Sequence, residues 1–258
     1  MRPIWTGTIG FGLVNIPVKL FTAIQGSELD LDMLDKKDLS NIKFLRVNEK
    51  TGKEVPWANI VKGFMLNSKY VVLEDKDFEA ASAVKTKVIE ISDFVLQQEI
   101  NSIYYETPYY IVPEKSGVRA YALLKEALLK TGKVGIATFV MRSKEHLAIL
   151  KATDDVLILN RMRFSEEIKD IKDLEMAEPA AVKPAELKMA ISLINQLSGN
   201  FDITTYKDSY TESLLKLIKS KAKGNKPAVT EMKVVHSKAK DLMAQLKESL
   251  SAKTKKAS

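Results

Sequence analysis

Gly117 to Phe164 is the stretch that most narrows the fold, because its hydrophobic period changes in mid-course. Tyr121, Leu124 and Leu128 recur at helical spacing, Arg119, Glu126 and Lys130 take the opposite side, and Gly132 stands where a left-handed cap is cheapest. The period then falls to two. Val134, Ile136 and Val140 alternate with Ala137, Phe139 and Met141, so both faces are apolar and a central strand covered on both sides is predicted. Leu147 to Ala152 and Val156 to Phe164 follow as strands, joined through Thr153-Asp154-Asp155, a turn whose Asp side chains can bond their own backbone. The simplest arrangement is an antiparallel meander with an amphipathic helix packed on it.

More strands lie upstream. Ile4 to Ile9 and Val14 to Ala23 alternate, and Pro17 removes a ladder donor, which predicts an edge or bulge there. Gly7, Gly10 and Gly12 are spaced G-x-x-G-x-G with no helix after them, which is not a dinucleotide fingerprint; bulges or close backbone approach account for them. Trp5 reads as a core or interface aromatic. Ile60 to Met65, Lys69 to Leu73 and Lys87 to Ile91 read as strands, and Asp75 to Ala83 as a helix with acids near its N-terminus. Tyr104, Tyr105, Tyr109 and Tyr110 crowd the run Ser102 to Val112, either as half-buried barrel wall or as stacking platforms for bases.

Downstream, Glu166 to Glu178 reads as an acidic linker. Pro184 suits the first turn of a helix carrying Leu187, Ala190, Ile191, Ile194 and Leu197, and Asp208 to Lys219 repeats the pattern with Leu214, Leu215 and Ile218. Two such helices need an apolar surface, on their own domain or on a partner. Asp241 to Leu250 reads as a further short helix, within a tail that is otherwise disordered or folds on contact.

Charge is where composition matters. The net charge is +7, yet Lys219 to Ser258 holds eleven Lys against three acids, leaving residues 1–218 with 29 basic and 30 acidic side chains. Signs also segregate within the body: 36–69 carries eight basic and three acidic residues, 118–163 nine and four, and 70–117 four and nine. Two basic blocks on one surface would attract phosphate; solvated faces of mixed charge are the plainer alternative. The hairpin about Asn48-Glu49-Lys50-Thr51-Gly52, flanked by Ile42 to Val47 and Val55 to Trp57, carries Lys43, Arg46, Lys50 and Lys53 and reads as a projecting element with few large apolar residues. Arg161 and Arg163 end the last strand on one side, facing either phosphates or water.

The runs YALLKEALLKTGKVGIATFVMRSKEHLAIL and WTGTIGFGLVNIPVKLF, with IVKGF and KYVVLEDKDFEA between them, closely resemble the bacterial Ku proteins over residues 1 to about 215. The resemblance implies an α+β, mainly β fold: a β-barrel core over 1–180 with a bridge insertion at about 25–65, a helical arm over 181–220 and a flexible Lys-rich tail over 221–258. It implies a homodimeric ring that threads onto double-stranded DNA ends and recruits an ATP-dependent DNA ligase. The implied DNA contacts are Lys36, Lys37, Lys43, Arg46, Lys50, Lys53 and Lys62, with Arg161 and Arg163, and in the tail Lys221, Lys223, Lys226, Lys253, Lys255 and Lys256. Many bacterial relatives have a cysteine pair near the hairpin turn; here Val47, Asn48, Glu49 and Gly52 stand there, so a metal-stiffened hairpin is excluded. Thr6 replaces a common Lys of the family, which removes a phosphate contact at that position.

Enzyme chemistry is sparse. The chain has no cysteine and only His146 and His236, and no Walker loop, HExxH or GxSxG is present. Asp154 with Asp155 and Glu166 with Glu167 are adjacent acids in turns and linkers. The expectation is a binding protein without catalytic residue, metal or cofactor. No apolar run approaches the roughly 18 residues of a membrane span, and a soluble, cytoplasmic protein associated with the nucleoid when on DNA is expected. A protein-interaction module whose basic patch docks acidic partners, with the tail as a nonspecific tether, and an RNA binder using the tyrosine-rich strand remain open.

Overall fold

The computed structural model describes residues 1–81, 87–178 and 180–225, together with 243, 245–247, 249 and 250. The chain divides into two compact units, 1–26 with 30–173 and 27–29 with 174–258. In the first unit the strands are β1 (Trp5–Phe11), β2 (Val14–Thr22), β3 (Lys62–Leu66), β4 (Lys69–Leu73), β5 (Val88–Leu96), β6 (Tyr105–Pro113), β7 (Lys133–Met141), β8 (Lys144–Ala152) and β9 (Leu157–Met162). Its helices are α1 (Asp75–Ala81) and α2 (Val118–Thr131). Seven strands close into a barrel in the order β1-β2-β6-β9-β8-β7-β5, while β3 and β4 form a hairpin of their own. The fold is α+β, mainly β. Every barrel pairing is antiparallel except β1 with β5, where a parallel contact completes the ring and leaves no sheet edge.

Period-two patterning decides what faces inward. Ile16, Val18 and Leu20 of β2, Tyr109 and Ile111 of β6, Ala137 and Phe139 of β7, Ala148 and Leu150 of β8, and Leu157 and Leu159 of β9 share one buried cluster. On the opposite faces Val134, Ile149 and Met162 form a second cluster with Tyr104, Tyr105 and Ile100 against them. The central strand is therefore covered on both sides, as its sequence predicts, and β7, β8 and β9 form the meander. Helix α2 adds Tyr121, Leu124 and Leu128 to the first cluster. The Tyr121 hydroxyl donates to the Ile111 carbonyl (2.8 Å) and accepts from the Leu157 amide (2.7 Å), tying β6 to β9. At Gly132, with φ 64°, the helix stops in a left-handed cap whose amide donates to Leu128.

Several local expectations change. Pro17 sits at a local edge rather than a bulge: it lies just past the Val18–Pro113 pairing that ends the β2–β6 ladder, where its carbonyl accepts from Glu114 at 2.9 Å and its missing donor goes unneeded. Gly7 marks close approach: a Cβ there would lie 2.2 Å from the Lys87 carbonyl oxygen. The turn before β9 is held by Thr153, whose hydroxyl donates to Val156 O (2.7 Å) and accepts from its amide (3.1 Å), rather than by Asp154 or Asp155. Tyr109 is in the core and the Tyr105 hydroxyl is enclosed, so these two are barrel wall, while Tyr110 is 38% exposed.

The insertion departs furthest from expectation. No described residue between Phe21 and Val88 is buried. The hairpin about Asn48 lacks extended strands: one bridge pairs Val47 with Glu54, and a second pairs Leu34 with Asn41. Nor is the segment poor in apolar residues, since from Leu31 to Met65 thirteen large ones are exposed, among them Phe44 at 76% and Trp57 at 70%.

The second unit carries α3 (Pro184–Leu197) and α4 (Ser209–Ala222). Pro184 opens α3, and Asp208 caps α4 by accepting from the Thr211 amide at 3.0 Å. Neither helix buries a side chain, and Leu187, Ile191, Ile194 and Leu197 stand exposed. Met243, Gln245–Lys247 and Ser249–Leu250 are helical, while Asp241 and Leu242 lie outside the described residues. Among the described residues no helix is long and apolar enough to cross a membrane.

Candidate nucleic-acid interface

The insertion owes its shape to side chains bonding nearby backbone, which substitutes for a ladder. Asn48 accepts through Oδ1 from the amides of Lys50 (3.0 Å) and Thr51 (3.1 Å), and its own amide donates to the Lys53 carbonyl (2.8 Å). Gly52, with φ 65°, completes that turn. Lys43 precedes it outside any strand or helix, Arg46 borders it, and Lys50 and Lys53 sit within it. A smaller loop upstream is set by Asp35, whose carboxylate accepts from the Lys37 amide at 2.8 Å, and by Asp38, which accepts from the Ser40 amide at 3.0 Å. That second bond holds the Asp38 carboxyl below its ordinary value. Lys36 and Lys37 are on this loop.

Two cations of the insertion rest on aromatic rings. The Arg46 guanidinium lies 4.6 Å from the centre of the Trp57 ring, and the Lys62 ammonium 4.8 Å from that of Phe78. Sequence reasoning names Arg46 and Lys62 but misses these supports, because eleven and sixteen residues separate the partners. Among the described residues none of Lys36, Lys37, Lys43, Arg46, Lys50, Lys53 and Lys62 enters a salt bridge, and all seven are exposed. They stand on one continuous insertion, which also carries Asp35, Asp38, Glu49 and Glu54.

Arg161 and Arg163 behave differently. Arg161 donates through Nε (2.6 Å) and through Nη2 to the two carboxylate oxygens of Glu106 on β6, and Arg163 lies 3.9 Å from the same group. The paired Arg161 holds the Glu106 carboxyl below its usual range, and Glu106 in turn raises the guanidinium. The two arginines do share a side, but a third partner stands beside the phosphate and solvent weighed from sequence. Fifty-five residues separate Glu106 from Arg161, so only barrel closure brings them together. Lys221 and Lys223 are exposed in the last turn of α4 and just beyond it. Lys226, Lys253, Lys255 and Lys256 lie outside the described residues. Among the described residues no cluster of His, Asp or Glu is arranged to hold a metal ion.

Residues 10–189 match the family model described as Ku70/Ku80 beta-barrel domain. The chain is also similar to curated proteins called non-homologous end joining protein Ku. That of Opitutus terrae is 41% identical over 86% of this chain and 80% of its own length. That of Pseudomonas aeruginosa is 39% identical over 94% and 84%, and that of Bacillus subtilis 37% identical over 89% and 75%.

Proposed function

The chain belongs to the Ku family, a family of DNA-binding proteins that are not enzymes, and from that premise we propose that it binds double-stranded DNA ends in non-homologous end joining. It does so as a homodimeric ring in the cytoplasm, reads no base sequence, and recruits an ATP-dependent DNA ligase. One observation carries this reading: the insertion presents seven exposed cations that enter no salt bridge among the described residues, on a segment that exposes thirteen large apolar side chains. Scattered apolar side chains on a surface are normal, whereas this many along one segment mark an interface. A second copy of the chain covers them, and the two insertions together enclose the duplex.

Lys36, Lys37, Lys43, Arg46, Lys50, Lys53 and Lys62 neutralise phosphates and release counterions, so affinity falls steeply with salt and is indifferent to sequence. Arg161 and Arg163 contribute less, because Glu106 already holds them. The helices of 181–220 form an arm over the partner protomer, which supplies the apolar surface they lack, and the tail of 221–258, with Lys221, Lys223, Lys226, Lys253, Lys255 and Lys256, adds loose phosphate contacts. Topology supplies the preference for ends, since a closed ring loads only where a duplex stops. Competition between linear duplex and relaxed closed circles of the same length tests this. Linear DNA should displace bound probe at far lower concentration; equal competition by circles would reject the ring.

A further inference from the structure

The inner rows of the barrel change character at one mouth. Going outward, Leu20 gives way to Thr22 on β2, Tyr109 to Thr107 on β6, Ala148 to His146 on β8, and Leu159 to Arg161 on β9. Cross-strand pairing brings these positions together: Thr22 faces Tyr109, His146 faces Phe139, and Arg161 faces Ala148. They line a cavity of about 500 Å³, joined by Arg142 from the β7–β8 turn and Lys144 at the start of β8, and no carboxylate is part of the lining. That volume suits a small molecule rather than a bare ion, for which such sites run roughly 300–1,000 Å³.

Two features set this mouth apart from a wet end of a barrel. The first is the turn. Arg142 and Ser143 both have positive φ, 52° and 66°, the two-residue hairpin geometry that ordinarily selects Asn and Gly. An arginine is strained there, and strain of that kind is retained where the side chain's position is used. The second is Arg161. Glu106 engages its Nε and Nη2, which fixes the guanidinium plane and leaves the Nη1 donors of the fork for another acceptor. Burial, then the charge of Arg161, pushes the His146 imidazole below its ordinary value.

We infer that this barrel mouth is a binding site for a phosphate monoester, with Arg142, Lys144 and Arg161 around the phosphate and its organic part on the apolar wall of Ile4, Ile24 and Met141. Cations converging from the turn, β8 and β9 suit a terminal dianion with three free oxygens better than a diester with two. Its source is either the terminal nucleotide of a DNA end or a free mononucleotide. The inference shares only Arg161 with the proposed ring, and neither Arg142 nor Lys144 is among the ring's contacts.

Titration of the full chain with deoxyadenosine 5′-monophosphate, followed by calorimetry and by the His146 ring resonances, tests it, with deoxyadenosine as the control lacking phosphate. Saturable nucleotide binding is expected, with the His146 resonances shifting and deoxyadenosine inert. Arg142→Gly relieves the positive-φ strain and should raise the melting temperature while weakening nucleotide binding at least tenfold; Lys144→Ala should weaken it without that gain. Duplexes with 5′-phosphate and 5′-hydroxyl ends separate the sources. A preference for the phosphorylated end that disappears in Arg142→Gly assigns the DNA end, and binding of the free nucleotide alone assigns the small molecule. If neither phosphate-bearing ligand binds, or if both variants bind as wild type, the site is rejected. Linear-over-circle preference in the same variants reports on the ring separately.

Discussion

The barrel and the insertion are made from similar side chains put to opposite use. In the barrel, Phe139, Leu157 and Leu159 are buried, Arg161 is answered by Glu106, and Lys125 donates to the Asp154 carbonyl at 2.6 Å. In the insertion, Phe44, Trp57 and Phe64 are exposed, and among the described residues none of its lysines enters a salt bridge. The first region closes a core of its own. The second does so only in company, with another protein surface for its apolar side chains and polyanion for its charges.

The largest expected effect breaks that contrast at the insertion. Replacing Lys43, Arg46, Lys50 and Lys53 together by Ala should lower duplex affinity by orders of magnitude. It should also flatten the dependence on log salt by about two for each position replaced, since each protomer of the dimer supplies one cation. The melting temperature should barely move. In the barrel the reverse is expected: Phe139→Ala costs about 3–5 kcal/mol in denaturant unfolding, since the side chain is 1% exposed and leaves a cavity. Tyr121→Phe strands the Leu157 amide and should cost about 1–3 kcal/mol by the same measurement. Trp57→Ala removes the ring beneath Arg46 and should change stability by less than about 0.5 kcal/mol, while weakening duplex binding measurably.

A pH series sharpens the contrast at smaller scale. Arg161 lowers the folded Glu106 value, so that stability is fully present above the unfolded carboxyl value of about 4.3 and is lost as pH falls through the folded one. His146 is also lowered, by burial and then Arg161, so the unfolded chain takes up that proton first and stability begins to fall below about pH 6.5. Urea melts from pH 3 to 8 should show each step weaken in its own variant, Glu106→Gln or His146→Gln. Parallel curves for wild type and both variants would remove these groups from the account.

The strands and α2 are largely legible in the sequence because they rest on local rules, whereas closure into a barrel is implied only by the family resemblance. Period-two strands, the α2 stripe and the Gly132 cap each need only neighbours a few residues away. What escapes needs distance. The Glu106–Arg161 pair joins β6 to β9 through barrel closure, and the mouth takes its lining from β2, β6, β8, β9 and a turn. The insertion misleads for another reason: its apolar residues are easily undercounted, because a segment without hydrophobic periodicity reads as polar loop even when it carries Phe44, Leu45 and Trp57. Periodicity reports burial within one chain and is silent on burial between two.

The most direct test is a trap. Protein is loaded onto linear duplex bearing biotin at both termini, streptavidin is added to block the ends, and the complex is challenged with high salt. A ring around DNA should stay on the blocked duplex and leave the unblocked one at once. Equal loss from both would show that the cations grip the helix from one side, and that no passage surrounds it.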